Sequence, residues 1–209
     1  MKKLFTIVSM TLIIPALTSC GGGPKGDMPW IVDRFDDIKV IRYEVPGFDA
    51  LPLEEKELIY YLSEAAKCGR DILFDQNCPV NLPVRRTLET VYENYKGDRT
   101  TAEWKALEKY LKKVWFANGI HHHYSNDKFR PEFSESFFRE AAASVGMDRF
   151  PADFDFLCKV IFDPTIYPTR LNQAAGADML WTSASNYYSN VRQHEAEQFY
   201  TAMAAADAG

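Results

Sequence analysis

Three successive stretches within residues 51–119 return an apolar residue every three or four positions, a period that buries one side of a helix and no regular side of a strand. In LPLEEKELIYYLSEAAKCGRDILF the stripe is Leu58, Leu62, Ala65, Gly69 and Ile72, widened by Ile59, Ala66 and Leu73. Glu54, Glu55 and Glu57 suit the positive end of that helix's dipole. The turn residues of DQNCPVNLP interrupt it. NLPVRRTLETVYENYKG then places Val84, Leu88, Val91, Tyr92 and Tyr95 on one face, with Asn81 and Pro83 marking the start and Gly97 the end. In TTAEWKALEKYLKKVWFANG, Thr100 precedes Glu103 by the spacing of a capping box. Trp104, Leu107, Leu111 and Val114 form its stripe, and Asn118–Gly119 closes it.

Shorter helices are predicted over 135–145, before Gly146, and over 152–162, before Asp163–Pro164. A last helix begins near Arg192 and carries Ala196, Phe199, Tyr200 and Met203. The β-branched run IKVIRYEV, 38–45, reads as a strand ended by Pro46 and Gly47. The fold class is therefore mainly α with a few short strands (α+β). With 209 residues, 46% of them hydrophobic, the chain builds one core. A net charge of −5 without any block of like charge argues against nucleic acid as a partner, since neutralising phosphates takes clustered Lys and Arg.

The opening MKKLFTIVSMTLIIPALTSC has a basic start, an apolar run over 4–17 and small residues before Cys20, the form of a signal peptide. Its LTSC end resembles the lipobox of bacterial lipoproteins, in which the cysteine is acylated and becomes the mature N-terminus. The expected organisation is a signal peptide over 1–19, a lipidated Cys20 with a flexible tether over 20–33, and a folded part over 34–209. Such a protein is exported and held at a bacterial membrane by its lipid anchor. An ordinary secretory signal with an incidental cysteine is the other reading. Of the remaining cysteines, Cys68 and Cys158 fall within apolar-periodic stretches and read as small buried thiols; pairing of Cys68 with Cys78 is left open.

NGIHHHY, 118–124, holds three of the four histidines. In extended backbone, side chains alternate, so His121 and His123 point together and His122 away. Two imidazoles at that spacing are able to share a metal with Asp127 as a third ligand. The plainer reading is a set of rings that stack and hydrogen-bond among Trp115, Phe116, Tyr124 and Phe129. HEAEQ starts like a zinc-protease helix at His194–Glu195, but Gln198 stands where the second histidine belongs. No GxGxxG, P-loop or GxSxG motif is present.

YYLSEAAKCGRDILFDQN, NLPVRRTLETVYENYKGDRT, VWFANGIHHHYSNDKF and MLWTSASNYYSNVRQHEAEQFY together resemble the N-terminal part of bacterial dipeptidyl peptidase III, in order over about 34–200. The resemblance implies a two-lobed zinc metallopeptidase that releases dipeptides from the N-termini of short peptides. Its zinc is held by an HExxGH motif and by a glutamate of an EExRAE motif. Neither motif occurs in this sequence, so no catalytic residue and no zinc ligand is carried over, and no zinc is expected to be bound by this chain. The chain then corresponds to a partial N-terminal lobe, inactive by itself, whose partner is a catalytic lobe encoded separately. Asn118, His121, His123 and Tyr124 are expected near the substrate cleft in a supporting role. A non-catalytic surface lipoprotein that binds peptides or a partner protein is the alternative.

Overall fold

A computed structural model describes residues 30–151 and 153–207 of the chain. The expected leader, Cys20, the tether up to residue 29, Ala152 and the last two residues lie outside the described residues. Strands β1 (Ile31–Phe35) and β2 (Ile38–Ile41) are followed by helices α1 (Leu53–Cys68), α2 (Arg70–Asn77), α3 (Asn81–Asn94) and α4 (Ala102–Ala117). Next come α5 (Glu135–Val145), α6 (Phe154–Phe162), α7 (Met179–Thr182) and α8 (Gln193–Asp207). The fold is mainly α with two short antiparallel strands.

The core grows around α3, which packs against α2, α4, α5 and α6. Val84, Leu88 and Val91 of α3 meet Trp104, Leu107, Leu111 and Val114 of α4, and all seven are buried in one apolar cluster. Phe138 of α5 and Leu157 and Ile161 of α6 complete it. At roughly 1.5–3 kcal/mol for each fully buried aliphatic side chain, these four helices supply most of the apolar stabilisation. Trp104 stacks on Tyr95 at 4.7 Å, and the Arg99 guanidinium lies 4.6 Å over the Trp104 ring. Arg99 also donates to the Tyr92 and Tyr95 carbonyls at 2.7 and 2.8 Å, satisfying the end of α3 and fixing the turn into α4.

The cap of α4 is shifted by one residue from the sequence expectation. Thr101, not Thr100, accepts from the Trp104 N–H at 3.2 Å, while Thr100 bonds to Asp98. Glu103 does not fold back to close a capping box. Its carboxylate accepts from the Ser134 N–H at 2.8 Å, and Ser134 is itself the N-cap of α5. One acidic side chain thus links the starts of two helices.

Three further expectations are corrected. The stripe of Leu58, Leu62 and Ile72 is not buried: the helix breaks at Gly69, α1 buries no side chain at all, and α2 turns Phe74 inward instead. Phe199, Tyr200 and Met203 of α8 are likewise exposed. Cys68 is exposed, whereas Cys78 and Cys158 are buried, and all three are free thiols.

The strand expected over 38–45 stops at Ile41 and pairs with β1, whose first three residues fall within the expected tether. What holds this hairpin is α4. Phe35 meets Phe116 edge-on at 6.4 Å, Lys112 reaches Asp33 at 3.0 Å, and Lys113 reaches Asp36 at 2.6 Å. A hairpin by itself is marginal, and this docking supplies the missing third layer. No described helix is long and apolar enough to cross a membrane.

Candidate functional site

The histidine segment is aimed by the end of α4. Asn118 adopts the left-handed conformation, φ 52° and ψ 43°, and closes the helix. Its carbonyl accepts from Asn77 at 3.1 Å, at the end of α2. The Asn81 side chain, at the start of α3, accepts from the Ile120 N–H at 3.1 Å and donates to the Phe74 carbonyl at 3.0 Å. Three helix ends therefore converge on two carboxamides, and the chain leaves this junction into the histidines.

From there three short backbone segments run side by side. Phe129 N–H donates to Ile120 at 2.8 Å, His122 N–H to Asp127 at 2.7 Å, and Arg170 N–H to Asn126 at 2.9 Å. His121 pairs with Lys128 and Asp127 with Thr169 as isolated antiparallel bridges.

Each imidazole has a different environment. His121 is 2% exposed, and its Nε2 lies 2.9 Å from the Tyr167 carbonyl, which makes Nε2 the protonated nitrogen. Its Nδ1 is buried without a partner, and burial pushes the ring down to about 4, against the usual 6.5. His122 uses Nδ1 to accept from the backbone N–H groups of Tyr124 and Ser125 at 3.2 and 3.1 Å, and turns Nε2 toward Asp37 at 3.7 Å. His123 lies between His122, at 4.5 Å, and Tyr124, at 4.2 Å, and meets Phe116 at 5.0 Å. Desolvation, then the neighbouring His122, lowers its affinity for a proton.

The rings brought together are thus those of His122 and His123, not those of His121 and His123. The reason is that the backbone does not stay extended past His122 but turns back through Asn126, whose φ is 65°. The stacking partners are Phe116, Tyr124 and Phe129; Trp115 stands apart, edge-on to Tyr92 and bonded to Glu89. Of the four expected cleft residues, His121 faces the core, Asn118 is spent on helix closure through its backbone, His123 is half-buried with an unpartnered buried Nδ1, and Tyr124 reaches the surface. Tyr124 is 83% exposed.

This donor set does not fit zinc. Nε2 of His121 is engaged by a carbonyl and Nδ1 of His122 by two backbone N–H groups, Nδ1 of His121 and Nδ1 of His123 are buried, and His122 Nε2 faces a single carboxylate, Asp37. Among the described residues no group of three or more His, Cys, Asp or Glu side chains is placed to hold a metal. Glu195 accepts from the Arg192 N–H at 2.7 Å, and Glu197 from Gln193 at 2.8 Å, so both serve the first turns of α8.

Residues that sequence reasoning missed complete the loop. Arg170 donates to Asn126 Oδ1 at 2.9 Å, to Asn77 Oδ1 at 3.3 Å and to the His123 carbonyl at 3.4 Å. Lys128 donates to the Asp163 and Ile166 carbonyls at 2.6 and 2.8 Å, capping the end of α6. Its partial burial lowers the ammonium to about 8. Arg170 is 93 residues from Asn77, a separation no local pattern reports. The arrangement offers aromatic faces, carboxamides and a guanidinium, groups suited to contact with a ligand.

No protein-family model matches this sequence, and no curated protein matches it.

Proposed function

We propose that this chain is the non-catalytic front part of a dipeptidyl peptidase III-like zinc exopeptidase, the part that backs the peptide cleft while a zinc-bearing lobe carries out hydrolysis. The observation that carries this reading is α1, sixteen residues long without one buried side chain. Leu53, Leu58, Tyr61 and Leu62 are 59–69% exposed on it. On α8, Phe199, Tyr200 and Met203 repeat the pattern. Helices in proteins draw most of their stability from burying an apolar face, so two long helices with uncovered faces support further polypeptide packed against them. Zinc and the water-activating glutamate come from the other lobe in this reading, and Tyr124, His123 and Arg170 supply peptide contacts.

A dipeptidyl-arylamide assay tests it. The purified chain gives only background turnover, and mixing it with a polypeptide bearing HExxGH, encoded beside it, restores chelator-sensitive release of the arylamine. Chelator-sensitive turnover by this chain alone overturns the reading. Stoichiometric capture of a short peptide by the chain alone, with no HExxGH frame adjacent, favours the peptide-binding lipoprotein instead.

A further inference from the structure

The β1–β2 hairpin has two different faces. Asp33 and Phe35 point at α4, as their contacts with Lys112 and Phe116 require. Alternation then puts Arg34, Lys39 and Ile41 on the other face; the register pairs Arg34 with Lys39 and, across a bulge between Ile31 and Asp33, Ile31 with Ile41. Two features of this outer face are out of place in water. At the open end, Trp30 (62%), Ile31 and Ile41 are exposed, and so are Tyr43 (76%) and Val45 (70%) just past β2. Nearer the turn, two like charges stand directly opposite each other, a destabilising cross-strand pair. Neither Arg34 nor Lys39 has an acidic side chain in reach among the described residues.

The open end is also where the chain enters the fold. Only residues 21–29 separate Cys20 from Trp30. At about 3.3–3.6 Å per residue, fully extended, Trp30 stays within roughly 35 Å of whatever Cys20 is fixed to. From this we infer that the outer face of the hairpin rests on an anionic phospholipid surface. Trp30 and Tyr43 sit at the headgroup level, Ile31, Ile41 and Val45 lie against the acyl boundary, and Arg34 and Lys39 meet lipid phosphates. Aromatic rings favour that depth, and anionic headgroups relieve the paired charges. The inference rests on the reading of Cys20 as the lipid-bearing residue, because only that anchor holds this edge within reach of a bilayer.

The full chain, produced in a bacterial host that processes lipoproteins, is reconstituted into vesicles of phosphatidylethanolamine and phosphatidylglycerol with brominated acyl chains. The mass of the N-terminal peptide reads acylation of Cys20, and indole fluorescence reads lipid contact. The expected result is an acylated Cys20 with bromine quenching that Trp30→Phe removes and Trp181→Phe leaves in place. Arg34→Glu with Lys39→Glu reduces the quenching at least about twofold. An acylated protein whose Trp30 is not quenched overturns the lipid surface, leaves the anchor standing and points to a protein covering the hairpin. Absence of acylation removes the anchor reading and this inference with it.

Discussion

Gly119 lies so close to Asn81 that a Cβ at position 119 would sit 2.2 Å from Asn81 Nδ2, and its φ of +151° is one that side chains disfavour. The contact joins the end of α4 to the start of α3, and the Asn81 carboxamide is the piece that both need. It satisfies the Ile120 N–H and the Phe74 carbonyl in a place with no water access.

Asn81→Leu therefore leaves the buried Ile120 N–H unpaired, at about 1–3 kcal/mol, while the Phe74 carbonyl keeps the Cys78 N–H as a donor. Urea unfolding of this variant shows a lower midpoint at an unchanged slope, a loss of about 1–3 kcal/mol of stability. Gly119→Ala disturbs the same contact, so the double variant loses less than the two single losses added together.

Acid sensitivity follows from His121. Its folded-state affinity for a proton is depressed, to about 4 against 6.5, so the unfolded chain binds the extra proton between those values. The stabilisation is complete above pH 6.5 and is lost as pH falls toward 4. One such group is worth on the order of 3 kcal/mol across that window. His123, lowered for the same reason, adds to the loss with the same sign. Stability measured by urea titration falls over this range in the wild type, and His121→Gln flattens the slope.

Thiol labelling separates the cysteines. Cys68, exposed at the end of α1, reacts with an aromatic disulfide reagent in the native protein. Burial pushes the thiols of Cys78 and Cys158 up to about 12 and about 11, so both react only on unfolding. Rapid labelling of Cys78 in native buffer would contradict the packing around α2 and α3.

Exposed leucines of α1 are tested by Leu58→Lys with Leu62→Lys. Both side chains are more than half exposed, so stability of the isolated chain changes by less than about 0.5 kcal/mol per site. On the proposed reading of α1 as the face covered by the zinc-bearing lobe, the same pair of substitutions abolishes restoration of arylamidase activity when the two polypeptides are mixed.

Much of the architecture is local and was legible. The stripes of α3 and α4 are buried as their periodicity requires, α5 keeps its predicted bounds before Gly146, and Asn118–Gly119 ends α4. The candidate site was legible only in its sequence neighbours. Stacking of His123 on Tyr124 joins adjacent residues. Arg170, Asn77 and Asn126 meet across long separations, and a contact of that kind leaves no periodicity in either segment.

Amphipathic spacing, caps and breakers determine where helices form, because each acts within a turn or two of the backbone. That much the sequence decides alone for α3 to α6. Which stripe is buried is another matter, since burial depends on what lies opposite. Leu58 and Leu88 have the same periodic signal, yet only Leu88 finds α4, α5 and α6 around it. The same holds for the histidines: three identical side chains in a row become a buried neutral donor, a loop brace facing Asp37 and a half-buried stacked ring, because the turn at Asn126 and the carbonyl of Tyr167 lie where only the assembled fold puts them.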